Sequence, residues 1–356
     1  MPSSRQTLDP VALAVELMSI DSTSGMEGAL VAHLHDRLAA RGWRVTRIPV
    51  GEGRDDLFAT ASDAPLVTLS THLDTVPPHI PPRLAGDVLW GRGACDAKGI
   101  AAAMICAAER LRAGGFPIAL LFVVGEEVTH DGAIAANAFP TTSRVLVNGE
   151  PTESVLARGT KGALRVTVRT EGVAAHSAYP ELGRSATHAL VHLLAELDAL
   201  ELPSDPVLGE TTINIGGITG GVADNVVAPA AEARLMVRLV TPAAAVERVL
   251  ERWADGRATL EWGAMVPPVH LGALPGFPSG VVAYATDVPA LGAWGTPYLF
   301  GPGSIHHAHR PDERIAVAEL VSAVDAYERI ARMALEAAGT RGEEQTGRLA
   351  ERRTRS

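Results

Sequence analysis

VTLSTHLDTV, residues 67–76, is an apolar, β-branched run that stops on two ligand-type side chains, His72 and Asp74. Two further stretches repeat that grammar. In FVVGEE (122–127) the run from Leu120 to Val124 ends on Glu126 and Glu127, and in VLVNGEP (145–151) the run Val145–Val147 ends on Glu150. Each run reads as a buried strand of a parallel or mixed sheet. In an open α/β sheet, ligands sit in the crevice beyond the carboxyl ends of the strands. Three strands ending at one edge therefore gather a histidine and several carboxylates. GRGACDAKG (91–99) adds Asp96, just before an Ala-rich helical run from Gly99 to Leu111.

Four or more carboxylates at close range repel one another, and burying them costs several kcal/mol each unless a cation compensates. A pair of divalent metal ions is the simplest answer. Imidazole with carboxylate suits Zn²⁺, with Co²⁺ or Mn²⁺ able to take its place. On a strand, His72 and Asp74 point the same way, which suits one for binding metal and the other for orienting it. Glu126 and Glu127 are adjacent and diverge, so one faces the metal and the other a water. The glycines of 91–99 lack the G-x-G-x-x-G spacing of a dinucleotide loop; they let the backbone bend close to an ion.

The chain has 356 residues, which favours two domains, and 47% hydrophobic content, enough for a large core. A formal charge of −10 and a pI near 5.6 argue against nucleic acid or an anionic membrane as partner. Two cysteines, Cys95 and Cys106, lie too close along one helical stretch to pair, which fits a reducing compartment. Val11–Ile20 lacks the basic start and cleavage site of a signal peptide, and no apolar run is long enough to span a bilayer. The expectation is a cytoplasmic protein.

From Gly162 the pattern changes. ALRVTVRTEGV, SATHALVHLLAEL, TTINIGGI, EARLMVRLV, PAAAVERVLERWADG and ATLEWGAM read strand, helix, strand, strand, helix, strand, closing near Val266. That is a ferredoxin-like α+β sandwich. Ligand-type chemistry resumes in GPGSIHHAHRPDE (301–313), so the sandwich is an insertion. The expected division is a discontinuous α/β catalytic domain with a mixed sheet at 1–160 and 267–338, an inserted domain at 161–266, and a charged, apolar-poor tail at 339–356 that should be disordered. Gly301–Ser304 supplies backbone N–H groups suited to a carboxylate nest. His306, His307 and His309 crowd the next turn, and spacing alone does not choose among them.

Six motifs in chain order resemble the M20 metallopeptidase family: HLDTVP, GRGACDAKG, GEE, GEPT, AHSAYPELG and GPGSIHHAHRPDE. This is the group of acetylornithine deacetylases, succinyl-diaminopimelate desuccinylases and co-catalytic zinc carboxypeptidases. Any one motif is common by chance; six in order, over roughly residues 10–335, are specific. The resemblance implies a zinc-peptidase-like catalytic domain and an inserted lid that also makes a homodimer. It implies two Zn²⁺ ions, replaceable by Co²⁺, held by His72, Asp96, Glu127, Glu150 and His309. Asp96 would bridge the ions and be followed by a cis peptide, Asp74 would orient His72, and Glu126 would be the general base. His309 is selected over its neighbours by the three residues between it and Glu313. His176 would reach the active site across the dimer interface. Asn225, Arg238, Gly303 and Ser304 would contact substrate. The implied substrate is a small N-acyl amino acid, N-acetylornithine first. N-acetyl-lysine, N-acetylcitrulline, N-succinyl-diaminopimelate and dipeptides stand as alternatives, as does an inactive relative that only binds such molecules.

Overall fold

The computed structural model describes residues 7–354, with side chains as far as Gly339. Two compact units divide the chain. One comprises the chain up to Arg158, Leu271–Gly280 and the chain from Thr286 on; the other comprises Gly159–His270 and Val281–Ala285.

The first unit is built on a mixed sheet. Strand Val67–His72 lies parallel between Ile118–Val123 and Val145–Asn148, and Thr296–Leu299 joins parallel to the latter. Beyond Ile118–Val123 the strands Arg54–Thr60 and Arg44–Gly51 follow antiparallel. Parallel neighbours need long crossovers, and helix Lys98–Ala113 supplies the one from Val67–His72 to Ile118–Val123. Alternate residues of each strand are buried on opposite faces, which is why the strands read as unbroken apolar runs. Ile118, Leu120 and Phe122 face a core shared with helices Pro10–Met18, Gly28–Ala40, Lys98–Ala113 and the last helix. Ala119, Leu121 and Val123 face a smaller core with Ala133, Ala136 and Trp294. Each fully buried Leu, Ile or Phe side chain contributes roughly 1.5–3 kcal/mol.

Local signals set the helix ends. The Asp9 carboxylate accepts from the Val11 amide at 2.9 Å, and Pro10 occupies the first turn. The last helix runs Val317–Thr354. The segment from Gly339, expected to be disordered, thus continues as helix backbone. Its Glu, Arg, Ala and Leu residues are good helix formers, and propagation from an already packed helix avoids the cost of nucleation. Residues 355–356 of that expected tail lie outside the described residues. Cys95 and Cys106 are both buried and unpaired, and among the described residues no helix is long and apolar enough to cross a membrane.

The second unit is a four-stranded antiparallel sheet in the order Thr212–Gly220, Ala230–Leu239, Gly162–Glu171, Thr259–Val266. With helices Ala186–Ala195 and Ala243–Ala254 between its strands, this is the ferredoxin-like arrangement. Leu164, Val166, Val168, Ala233, Leu235 and Val237 pack with Leu190, Leu193, Val246 and Leu250. The alternate positions, among them Arg165, Arg234 and Arg238, occupy the opposite face.

Candidate metal centre

Val67–His72, Ile118–Val123, Val145–Asn148 and Thr296–Leu299 run the same way, so their carboxyl ends share one edge of the first unit's sheet. His72, Glu126 and Glu127, Glu150, and the loop from Gly301 follow those ends directly.

His72 is buried, with Nδ1 2.9 Å from the Asp74 carbonyl and 3.5 Å from the Asp74 carboxylate. Held at that nitrogen, the ring presents Nε2 to Asp96 Oδ1 at 3.0 Å. The other Asp96 oxygen lies 3.3 Å from His309 Nε2, and that nitrogen is 2.9 Å from Glu127. Ligand atoms of His72, Asp96 and Glu127 all lie within 4.8 Å of one another. Asp74 also accepts from the amides of Glu126 and Glu127 at 3.1 and 3.2 Å and from the Ser24 hydroxyl at 2.8 Å. One carboxylate thereby fixes both the histidine and the turn that carries the two glutamates.

Asp96 is placed from a distance. The Glu313 carboxylate accepts from the amides of Gly93, Cys95 and Asp96 at 2.9, 3.3 and 3.3 Å and pairs with Arg92 at 2.5 Å. It closes the 91–96 loop onto the turn that bears His309. The Asp96–Ala97 peptide is cis, and His309 has a left-handed backbone, φ 64°.

The electrostatics are those of a crowded acidic pocket. Burial pushes Glu126 and Glu150 well above the ordinary carboxylate range, each aggravated by neighbouring carboxylates. Burial also raises Glu127, with Asp96 adding to it. Against the pull of burial, His309 and His72 hold Asp96 below its usual value. His309, bonded to Asp96 and Glu127, is pushed up to about 10. A divalent cation bound among these groups would relieve the crowding of their charges. The donor set of imidazole nitrogens and carboxylate oxygens, with one carboxylate offering an oxygen to each side, fits a pair of ions of the zinc or cobalt type.

The remaining candidates are more dispersed. The Gly301 amide donates to the Thr152 hydroxyl, so it is not free for a carboxylate nest, and the Ser304 hydroxyl donates to Glu153 at 2.6 Å. Gly303 has φ 81°, and a Cβ there would meet Cys95 at 2.6 Å, so only glycine fits. His306 is exposed, and the His307 amide donates to the Ser304 carbonyl. In the second unit, exposed His176 bridges to Val226, and the Asn225 carbonyl accepts from the Ser177 amide, so the segments carrying these two lie side by side. Arg238 does not join them. It pairs with Ala163 at the far end of strand Ala230–Leu239, eight residues or about 26 Å along.

Two neighbours of Glu126 were not among the candidates. His130 and Asp287 stand beside Glu126, and ligand atoms of the three lie within 4.8 Å of one another. No motif or periodicity marks either residue, and 157 positions separate them.

A mixed sheet carrying a histidine–carboxylate centre at its parallel edge, with an inserted ferredoxin-like sandwich, defines a metallopeptidase-type chain. Residues 158–259 match a model described as a peptidase dimerisation domain. The chain is 39% identical to a probable carboxypeptidase of Aspergillus clavatus, over 90% of this chain and 81% of that protein. It is 36% identical to a peptidase M20 domain-containing protein of Schizosaccharomyces pombe, over 90% and 83%. Its fold matches an aminopeptidase from Bacillus cereus (TM-score 0.76, 21% identity, 92% of this chain and 98% of that one) and an M20 family metallo-carboxypeptidase from Sulfolobus solfataricus (TM-score 0.71, 16% identity, 92% and 99%). A Bacillus subtilis protein described as a dinuclear metal binding peptidase of the M20 family matches with TM-score 0.69, 15% identity and coverage of 92% and 98%. The chain belongs to the M20 peptidase family, a family of hydrolytic enzymes.

Proposed function

We propose that this chain is a metal-dependent hydrolase of amide bonds whose leaving amine belongs to a small amino acid. The observation that carries the reading is the Asp96 carboxylate, one oxygen toward His72 and the other toward His309, with Glu127, the residue after Glu126, on the same His309 nitrogen. Held by His72, Asp96, Glu127, Glu150 and His309, a pair of divalent ions would polarise the scissile carbonyl and acidify the attacking water. Glu126 takes the proton from that water and hands it to the leaving nitrogen. Burial raises its pKa above the ordinary carboxylate range, which makes it a stronger acceptor for the water's proton. Asp74 holds His72 and the Glu126–Glu127 turn in register throughout. His176 stabilises the tetrahedral intermediate, lent by the second chain of a homodimer formed through the inserted unit. Supporting that assembly, strand Thr212–Gly220 is an open edge with Ile215 and Ile218 exposed.

The names of the curated relatives favour a carboxypeptidase, in which the leaving amine is a C-terminal amino acid. GPGSI with the downstream His and Glu favours the second reading, removal of an acetyl group from N-acetylornithine. The two share one chemistry and differ in the acyl side. A panel of N-acetyl and N-succinyl amino acids beside dipeptides and N-blocked dipeptides, assayed with Zn²⁺ or Co²⁺ for released amine, separates them. Turnover confined to acetylated amino acids selects the deacetylase. Turnover confined to peptides selects the exopeptidase. No release from any member, by protein whose metal content is verified, overturns hydrolysis itself.

A further inference from the structure

The Glu126 carboxylate lies beside a second acid, with ligand atoms of Glu126, Asp287 and His130 within 4.8 Å of one another. Among the described residues, the one charged or chargeable nitrogen within 4 Å of it is His130 Nδ1, 3.9 Å from Glu126 Oε1. That same nitrogen is 2.8 Å from Asp287 Oδ1. Asp287 is only 2% exposed and begins a short helical turn, so its side chain has little freedom.

The backbone between Glu126 and His130 is equally constrained. The Gly125 carbonyl accepts from the amides of both Thr129 and His130, at 3.0 and 2.8 Å, closing the loop into a ring. The ends of that ring are tied down. Asp74 holds the Glu126 and Glu127 amides, and Arg54 clamps Asp131 at 2.6 Å while pairing with Glu27. His130 takes a left-handed backbone, φ 55°, to bring its ring back over Glu126. A non-glycine residue in that conformation is disfavoured and persists only where its surroundings dictate it.

We infer that His130, anchored by Asp287, is a positioning residue for Glu126. The ring stands between two carboxylates that would otherwise repel, and it limits the orientations open to Glu126. A general base must reach its water within hydrogen-bond distance, and misplacement by about 1 Å can cost 10²-fold in rate. The inference rests on Glu126 being the base, and it gives His130 no contact with substrate or metal.

The test uses the full-length metal-loaded enzyme and the panel member with the highest turnover. His130→Ala should lower kcat about 10- to 100-fold while KM and bound metal stay at wild-type values. Added imidazole should restore part of that loss. Asp287→Ala should behave alike, and the double variant should be no worse than either single one, because both act through the same carboxylate. In a Glu126→Gln background, His130→Ala should cost nothing further. Thermal melts exclude variants that do not fold; should either alanine variant fail, His130→Gln and Asp287→Asn carry the same comparison. Wild-type turnover in Glu126→Gln would remove the base reading itself. If Glu126→Gln is inactive, this inference alone is overturned by any of three results: kcat of His130→Ala within about threefold of wild type, a loss confined to KM, or loss of bound metal, which would make the trio an ion site.

Discussion

Asp96 stands between two histidines, with Oδ1 3.0 Å from His72 Nε2 and Oδ2 3.3 Å from His309 Nε2. These come from opposite ends of the chain, and Asp96 is held between them by Glu313, which binds the amides on either side of the loop. Were two ions held by His72 and His309, this carboxylate would have one oxygen for each of them.

Asp96→Ala should therefore lose most bound metal as well as activity, whereas His306→Ala should lose neither. Metal analysis of the purified, folded variants checks this. Full metal occupancy in Asp96→Ala would remove its bridging role.

Asp56 gives a prediction for stability against pH rather than for the reaction. It is fully buried, accepts from the Val124 amide at 3.0 Å, and its second oxygen has no hydrogen-bond partner among the described residues. Burial, with Asp287 adding to it, pushes its pKa to about 8 against an ordinary 3.8. Its folded pKa exceeds its unfolded one, so the folded state binds more protons between about pH 4 and 8, and stability falls as pH rises through that window. Asp56→Asn keeps the bond from Val124 and removes the titration. The melting temperature of Asp56→Asn relative to wild type should climb by several degrees from pH 5 to 8. A difference that is flat with pH would show that Asp56 titrates normally.

The match of 158–259 to a peptidase dimerisation domain motivates a mixing experiment. His176→Ala and Asp96→Ala chains, each weakly active alone, should regain activity when exchanged into mixed dimers. Each mixed dimer holds one site with an intact metal centre and an intact His176. Verified exchange by tagged co-purification without recovered turnover would place His176 in cis or make it structural.

The sheet and its ligand edge were legible because parallel strands buried on both faces leave unbroken apolar runs, and His72, Glu126, Glu127 and Glu150 terminate those runs. The inserted sandwich was legible from alternation, since one face of its sheet is buried and the other is not. Choosing His309 over His306 and His307 needed the resemblance, because three histidines in one turn share composition and spacing; its left-handed backbone is what turns it toward Asp96. Arg238 lies near the far end of strand Ala230–Leu239, thirteen residues along the chain from Asn225, a separation that local pattern does not show. His130 and Asp287 were illegible because their meeting depends on a loop closure and on a strandless stretch 157 residues away.

Metal-assisted proton transfer by Glu126 is tested most directly by metal titration of wild type beside Glu126→Gln. Wild-type protein stripped by chelator should lose amide hydrolysis and regain it with added Zn²⁺ or Co²⁺, saturating near about two ions per chain. Glu126→Gln should bind the same number of ions and remain at least 10²-fold slower at every point of the titration. Turnover by verified metal-free wild type, or a Glu126→Gln enzyme that recovers with metal as wild type does, would contradict that mechanism.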